Sequence, residues 1–254
     1  MRLLLKPLQW LYCLYAILLF LVLMVPVFIW ALLVSGYGLI KGGNLIYEAC
    51  KIWADIWFPL IGIRHKNIYK HPVQKDTAYI FVANHISYLD AGLIPKAFRH
   101  PVRPLGKVEM AKIPLFGFIY KNTIVTVDRS STSHRAKSIR RLKAILRKGI
   151  SVLVFPEGTF NTTPHPLKHF YDGAFRVAIE TRTPIKPVLF LNTYDRLHYD
   201  SLFSLTPGIS QCIFLEPIEV TGYTLKDVKH LKQQVHALME EKLREYKASW
   251  IKDA

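Results

Sequence analysis

Cysteine and acidic side chains are scarce in this chain of 254 residues, and several familiar signatures are missing altogether. Cys13, Cys50 and Cys212 show no metal-ligand spacing and lie in or near apolar stretches. That excludes a disulfide framework and a zinc site, and leaves them as reduced packing residues. No GxxxxGK[ST], GxGxxG or GxSxG is present, so nucleotide-binding and serine-hydrolase signatures are absent. No internal repeat, low-complexity tract or long linker breaks the chain. Asp and Glu number 18 against 34 Lys and Arg, a formal net charge of +16. Such an excess favours anionic partners: phospholipid surfaces, phosphate-bearing substrates or nucleic acid. Without interleaved aromatics or a known module, nucleic acid drops out.

The chain does hold one long hydrophobic run. Residues 8–34 carry no charged side chain. At about 1.5 Å per residue a helix of that length exceeds a hydrocarbon core of about 30 Å. The run is longer than a signal-peptide core and lacks a small-residue cleavage site, so it reads as a retained membrane helix that Pro26 should kink. Residues 35–44 hold four glycines and predict a reversal before a second helix at about 45–62. On that helix Glu48, Lys51 and Asp55 share a stripe, which suits an interface better than a span. The expectation is a membrane helical hairpin over residues 1–66. It returns the chain to its starting side, with Arg2, Lys6, Arg64, Lys66 and Lys70 on the cytoplasmic face.

Residues 67–254 read as a single α/β domain of ordinary size. Short apolar runs at 77–83, 124–127, 151–155 and 185–191 predict buried strands, with a further one near 211–216. Helical stretches near 89–98, 131–148, 171–182 and 224–247 lie between or after them. This alternation predicts a mixed, largely parallel sheet flanked by helices. The closing helix carries apolar residues at helical spacing and packs one face on the sheet.

The strand TAYIFVA ends at Asn84-His85, and Asp90 follows five residues later. On one regular helix that spacing would put the two side chains on different faces, so His85 must precede the helix. At the C-terminal end of a parallel strand it can be bonded by an Asp90 carboxylate reaching back from the first helical turn. Such a pair is a general base able to remove a proton from an alcohol as it attacks. Three further blocks follow in order. GKVEMAKIPLFG at 106–117 supplies Lys107 and an apolar turn, TVDR ends at Arg129, and FPEGT occupies 155–159. Arg129 can bind a phosphate by paired hydrogen bonds, and Glu157 can order that arginine or accept bonds from a glycerol backbone. The Gly158 amide and its neighbours form a potential anion nest.

These blocks make the chain resemble the lysophosphatidic acid acyltransferase (1-acylglycerol-3-phosphate acyltransferase, PlsC-like) family. The match covers roughly residues 75–220. It consists of NHxxxxD at 84–90, Lys107, Glu109, Pro114 and Gly117 of the second block, VDR at 127–129, FPEGT at 155–159 and PIKPV at 184–188. The resemblance implies an α/β sandwich behind a membrane-facing two-helix element. It also implies transfer of a fatty acyl group from a thioester, acyl-CoA or acyl carrier protein, to 1-acylglycerol 3-phosphate, giving phosphatidic acid. No metal or resident cofactor is implied. His85 and Asp90 are the implied catalytic pair, with Lys107, Arg129, Glu157, Gly158 and Thr159 on the substrate side. Two departures bear on the acceptor. Many members follow FPEGT with Arg-Ser, whereas Phe160 and Asn161 stand here, and the usual basic residue before the later Gly-Ala is absent from FYDGA at 170–174. Acylation of another lyso-lipid headgroup is therefore an alternative acceptor reading. A lipid hydrolase with Ser87 as nucleophile and an inactive lipid-binding homologue are the readings of other classes. Residues 96–148 hold fourteen Lys or Arg against Glu109 and Asp128, a bias suited to anionic lipid or an acidic carrier protein.

Overall fold

The computed structural model describes residues 2–74, 76–127 and 132–252. Helix α1 (Arg2–Val34) continues unbroken through Pro26, and a three-residue 3-10 turn (Ser35–Tyr37) leads directly into α2 (Gly38–Leu60). The reversal is thus shorter than the glycine-rich stretch predicts, and most of those glycines are helical. They serve close approach instead: a Cβ on Gly42 would sit 2.5 Å from the Val34 carbonyl oxygen, and one on Gly43 2.6 Å from that of Asn122.

The two helices lie side by side in opposite directions. Tyr12 Oη donates to the Ile61 carbonyl at 2.6 Å, Trp57 Nε1 to that of Ala16 at 3.1 Å and Trp30 Nε1 to that of Leu45 at 3.2 Å. Between them Trp53 stacks on Trp57 at 5.3 Å, and Phe20 meets both rings edge-on. The outer side of α1 is apolar and exposed, with Leu8, Leu11, Leu18, Leu21 and Leu33 pointing away from the protein. Residues 6–60 form one helical stretch long and apolar enough to cross a membrane by length and composition.

Strand β1 (Ile63–Tyr69) follows at once, so the domain boundary expected at residue 66 falls inside a strand. Its run of four polar residues, Arg64 to Asn67, between apolar ends marks a sheet edge half in solvent, which hid it in the sequence. The chain continues through β2 (Ile80–Ala83), α3 (Leu89–Ala97), β3 (Val102–Lys107), a 3-10 turn (Val108–Lys112), α4 (Phe116–Thr123) and β4 (Val125–Val127). Then come α5 (Thr132–Leu146), β5 (Ser151–Val154), α6 (Gly173–Thr181), β6 (Ile185–Leu191), the short α7 (Thr193–Arg196), β7 (Gly208–Phe214) and α8 (Val228–Glu245). Strand β3 escapes a hydrophobic reading because Arg103, Pro104, Gly106 and Lys107 interrupt it. Helix α4 fills part of the segment expected to be a turn.

The seven strands form one sheet in the order β1-β7-β6-β2-β5-β3-β4, parallel throughout except where β7 runs against β6. Successive residues of each central strand point to opposite faces. Phe81, Ala83, Leu153, Val188 and Phe190 face the layer made by α1, α2 and α3. Val82, Val152, Val154, Leu189 and Leu191 face the layer made by α5, α6 and α8. Both faces being covered, the central strands read as continuous apolar runs. Polar bonds tie α2 to α3, to the loop after it and to β3 as well. Tyr47 Oη donates to the Phe98 carbonyl at 2.9 Å, and the buried Arg103 guanidinium donates to Asn44 Oδ1 at 2.6 Å. Asp55 of α2 binds Lys96 at 2.7 Å and Arg99 at 2.8 Å.

Candidate active site

Five strands, β6, β2, β5, β3 and β4, point the same way, so the loops after them gather along one edge. Two of these loops build the site. Residues 84–88 leave β2 before α3 begins, and residues 155–161 leave β5. The buried Asn84 fixes the first loop to its neighbour strand: its side chain accepts from the Phe190 amide at 2.8 Å and donates to the Phe190 carbonyl at 3.1 Å.

Asp90 sits in the first turn of α3, where the helix dipole favours a carboxylate. It is completely buried. Its Oδ2 accepts from the amides of Ile86 at 2.8 Å and Ser87 at 2.9 Å and pairs with His85 Nδ1 at 2.9 Å. The two backbone bonds hold the carboxylate in place, and the carboxylate then holds the imidazole. With Nδ1 donating to Asp90, the basic lone pair belongs to Nε2, for which no described residue supplies a partner. The His85 side chain keeps 19% of its surface exposed. Its ring stacks on Phe155 at 4.2 Å and meets Phe160 edge-on at 4.4 Å, and Tyr88 packs on the far side of Phe160. A base with one nitrogen oriented, the other open and aromatic walls on two sides is equipped to take a proton from a hydroxyl.

Glu157 acts on this loop from beneath. Only 2% exposed, it accepts the His85 amide at 2.9 Å through Oε1 and the Lys168 amide at 2.9 Å through Oε2. Burial pushes its carboxyl up to about 7, against which the two amide bonds pull down. Both oxygens are engaged by backbone amides, so the carboxylate ties the two loops together. The Gly158 amide is likewise occupied, donating to the Phe155 carbonyl at 3.0 Å in a turn where Gly158 has φ +74°. It is not free for an anion. Thr159 is exposed beside it, and Lys107 is exposed at the end of β3 on the same edge as His85. Arg129 lies outside the described residues.

Ser87 cannot be a nucleophile as it stands. Its buried hydroxyl donates to the Leu197 carbonyl and accepts from the Leu89 amide at 3.0 Å. Phe160 and Asn161, noticed in the sequence only as departures, turn out to be structural parts of the site. The Asn161 amide donates to the His85 carbonyl at 2.7 Å and its side chain closes the loop through the His165 carbonyl at 2.8 Å. Their position straight after FPEGT was the signal; which side chain would lean on the imidazole was not.

A family model described as Acyltransferase matches residues 65–191, half the chain. The 1-acyl-sn-glycerol-3-phosphate acyltransferase of Salmonella typhimurium is 32% identical over 171 residues, 65% of this chain and 67% of that protein. The chain belongs to the acyltransferase family. The protein of the same name from Haemophilus influenzae is 28% identical over 195 residues, covering 76% of this acyltransferase and 80% of that chain. The crystal structure of the 1-acyl-sn-glycerophosphate (LPA) acyltransferase, PlsC, of Thermotoga maritima superposes with a TM-score of 0.76. It is 23% identical and covers 99% of this acyltransferase and 100% of that chain. That likeness establishes the fold: a mostly parallel sheet between helical layers, behind a long apolar N-terminal helix. The block that carries His85 and the block that carries Glu157 both fall inside the matched region.

Proposed function

We propose that this acyltransferase moves a fatty acyl group from a thioester, acyl-CoA or acyl carrier protein, to the free hydroxyl of 1-acylglycerol 3-phosphate, forming phosphatidic acid. The observation that carries the reading is the His85–Asp90 pair with Nε2 open, in a chain whose relatives bear that name. His85 Nε2 takes the hydroxyl proton as the oxygen attacks the thioester carbonyl; the new C–O bond forms, the C–S bond breaks, and the proton passes to the departing sulfur. Asp90 keeps the ring oriented and balances the imidazolium. No acyl-enzyme is needed, which agrees with the fully engaged Ser87 hydroxyl. No resident cofactor takes part.

Arg129 is assigned to the acceptor phosphate and Lys107 to a polar contact near the reacting groups. The exposed apolar side of α1 supports seating on a phospholipid surface, with the catalytic loops on the cytoplasmic face. The purified enzyme in mixed micelles, given lysophosphatidic acid and either donor, tests the reading. His85→Ala should lower turnover by ~10²–10⁴ in a protein that still folds; a variant with full turnover overturns the mechanism. Arg129→Ala should raise KM for lysophosphatidic acid and leave a neutral lyso-lipid little affected, whereas equal losses on both remove its phosphate role.

A further inference from the structure

Helix α5 divides cleanly into two sides. Leu142, Ile145 and Leu146 are buried against the sheet, while Lys137, Arg140, Arg141, Arg147 and Lys148 are exposed. At 100° per residue Lys137, Arg140 and Arg141 share one arc of α5, and Arg147 and Lys148 follow in the turn after Leu146. None of the five side chains has a hydrogen bond or ion pair among the described residues. Lys143, on the flank facing α6, does: it binds Glu180 at 2.8 Å. The sequence from 130 to 156 contains no Asp or Glu, so the segment itself supplies no counter-charge to the stripe. Like charges three and four residues apart, as at Lys137, Arg140 and Arg141, destabilise a lone helix. An acidic partner would relieve that repulsion.

The stripe lies on the sheet face opposite α1 and α2. Helix α5 starts at the edge where the catalytic loops gather and runs toward Gly149 at the far edge, where β5 begins. A bilayer lying against the apolar side of α1 cannot also lie along α5, whereas a soluble protein can cover its full length and still reach the catalytic edge. We propose that the exposed face of α5 is the docking surface for an acidic partner protein, a carrier that presents carboxylates to the stripe and delivers the acyl thioester to His85. This rests on the acyl-transfer reading above.

The test compares palmitoyl-loaded acyl carrier protein with palmitoyl-CoA as donors, for the full chain and for Arg140→Gln/Arg141→Gln/Lys148→Gln. Expected is a rise of about tenfold or more in KM for the carrier-borne donor, with kcat and the CoA constants within about twofold. In the unaltered enzyme the carrier KM should also climb about tenfold between roughly 50 and 300 mM salt. A carrier KM that ignores both charge removal and salt, or an equal loss on both donors, overturns the proposal. So does a variant that keeps its carrier KM but no longer binds vesicles containing about 30 mol% phosphatidylglycerol, which would give the stripe to the membrane. Activity with CoA and none with the carrier defeats the docking surface alone; activity with neither donor removes the acyl-transfer reading as well.

Discussion

Glu157 holds His85 by its backbone, accepting the histidine amide at 2.9 Å while Asp90 holds the same residue by its ring at 2.9 Å. One carboxylate sets where the base is, the other which way it faces.

The two carboxylates should respond differently to substitution. Glu157→Gln leaves one oxygen for two amides and aims an NH₂ at one of them, so destabilisation of about 1–3 kcal/mol is expected. Its pH dependence has a definite sign. Burial raises the folded-state carboxyl to about 7, above its ordinary value, so the stability linked to its proton is present at low pH and lost as pH rises through 7. Gln does not titrate, and the melting gap between native and variant should narrow from pH 5 to pH 8. A constant or widening gap in differential scanning fluorimetry contradicts it.

Ser87→Ala separates structure from chemistry. It leaves the Leu197 carbonyl and Leu89 amide without their partner, so the variant should lose about 1–3 kcal/mol in denaturant unfolding. Turnover should stay within a few-fold of the native enzyme. Abolished turnover, or an acyl group trapped on Ser87 in the native enzyme by mass spectrometry, would revive the hydrolase reading.

Removing the aromatic wall at Phe160 should act on rate. An edge-on ring pair contributes about 0.5–1.5 kcal/mol, so Phe160→Ala is expected to lower kcat roughly 2–12-fold through a looser imidazole. Phe160→Leu, which keeps the bulk, should recover part of the loss; an Ala variant with unchanged kcat leaves Phe160 no part in positioning.

Far from the site, Gly43→Ala tests the seam between α2 and the sheet. Its new Cβ would meet the Asn122 carbonyl at 2.6 Å and the Arg103 guanidinium at 2.8 Å. Overpacking of that kind costs about 1–3 kcal/mol. Thermal unfolding of the pure protein should register it, while Gly149→Asn, in open space at φ +72°, should change little.

Much of this was legible in the sequence. The apolar runs of β2, β5 and β6 are buried on both sides, so composition alone located them, and the five-residue spacing of His85 and Asp90 required a loop before α3. Strands β1 and β3 were not legible, because solvent contact on one and the buried Arg103 on the other break the apolar pattern. Glu157 was recognised, but its hold on the two loops was not: a carboxylate in a tight turn looks the same whether it faces substrate or two backbone amides. That distinction depends on residues 85 and 168 meeting it from separate loops, which no local spacing encodes.

Strand β1 joins the sheet immediately after α2, and Trp53, Phe58 and Ile61 share one core with Phe81 and Phe214. The apolar helices therefore cannot be trimmed away like a tether. A fragment starting near residue 67 would retain His85 and Asp90 but expose a bare sheet face and a raw β7 edge, the conditions for aggregation. The route to a water-soluble form runs through the outward side chains Leu8, Leu11, Leu18 and Leu21, whose replacement leaves the inner face of α1 intact.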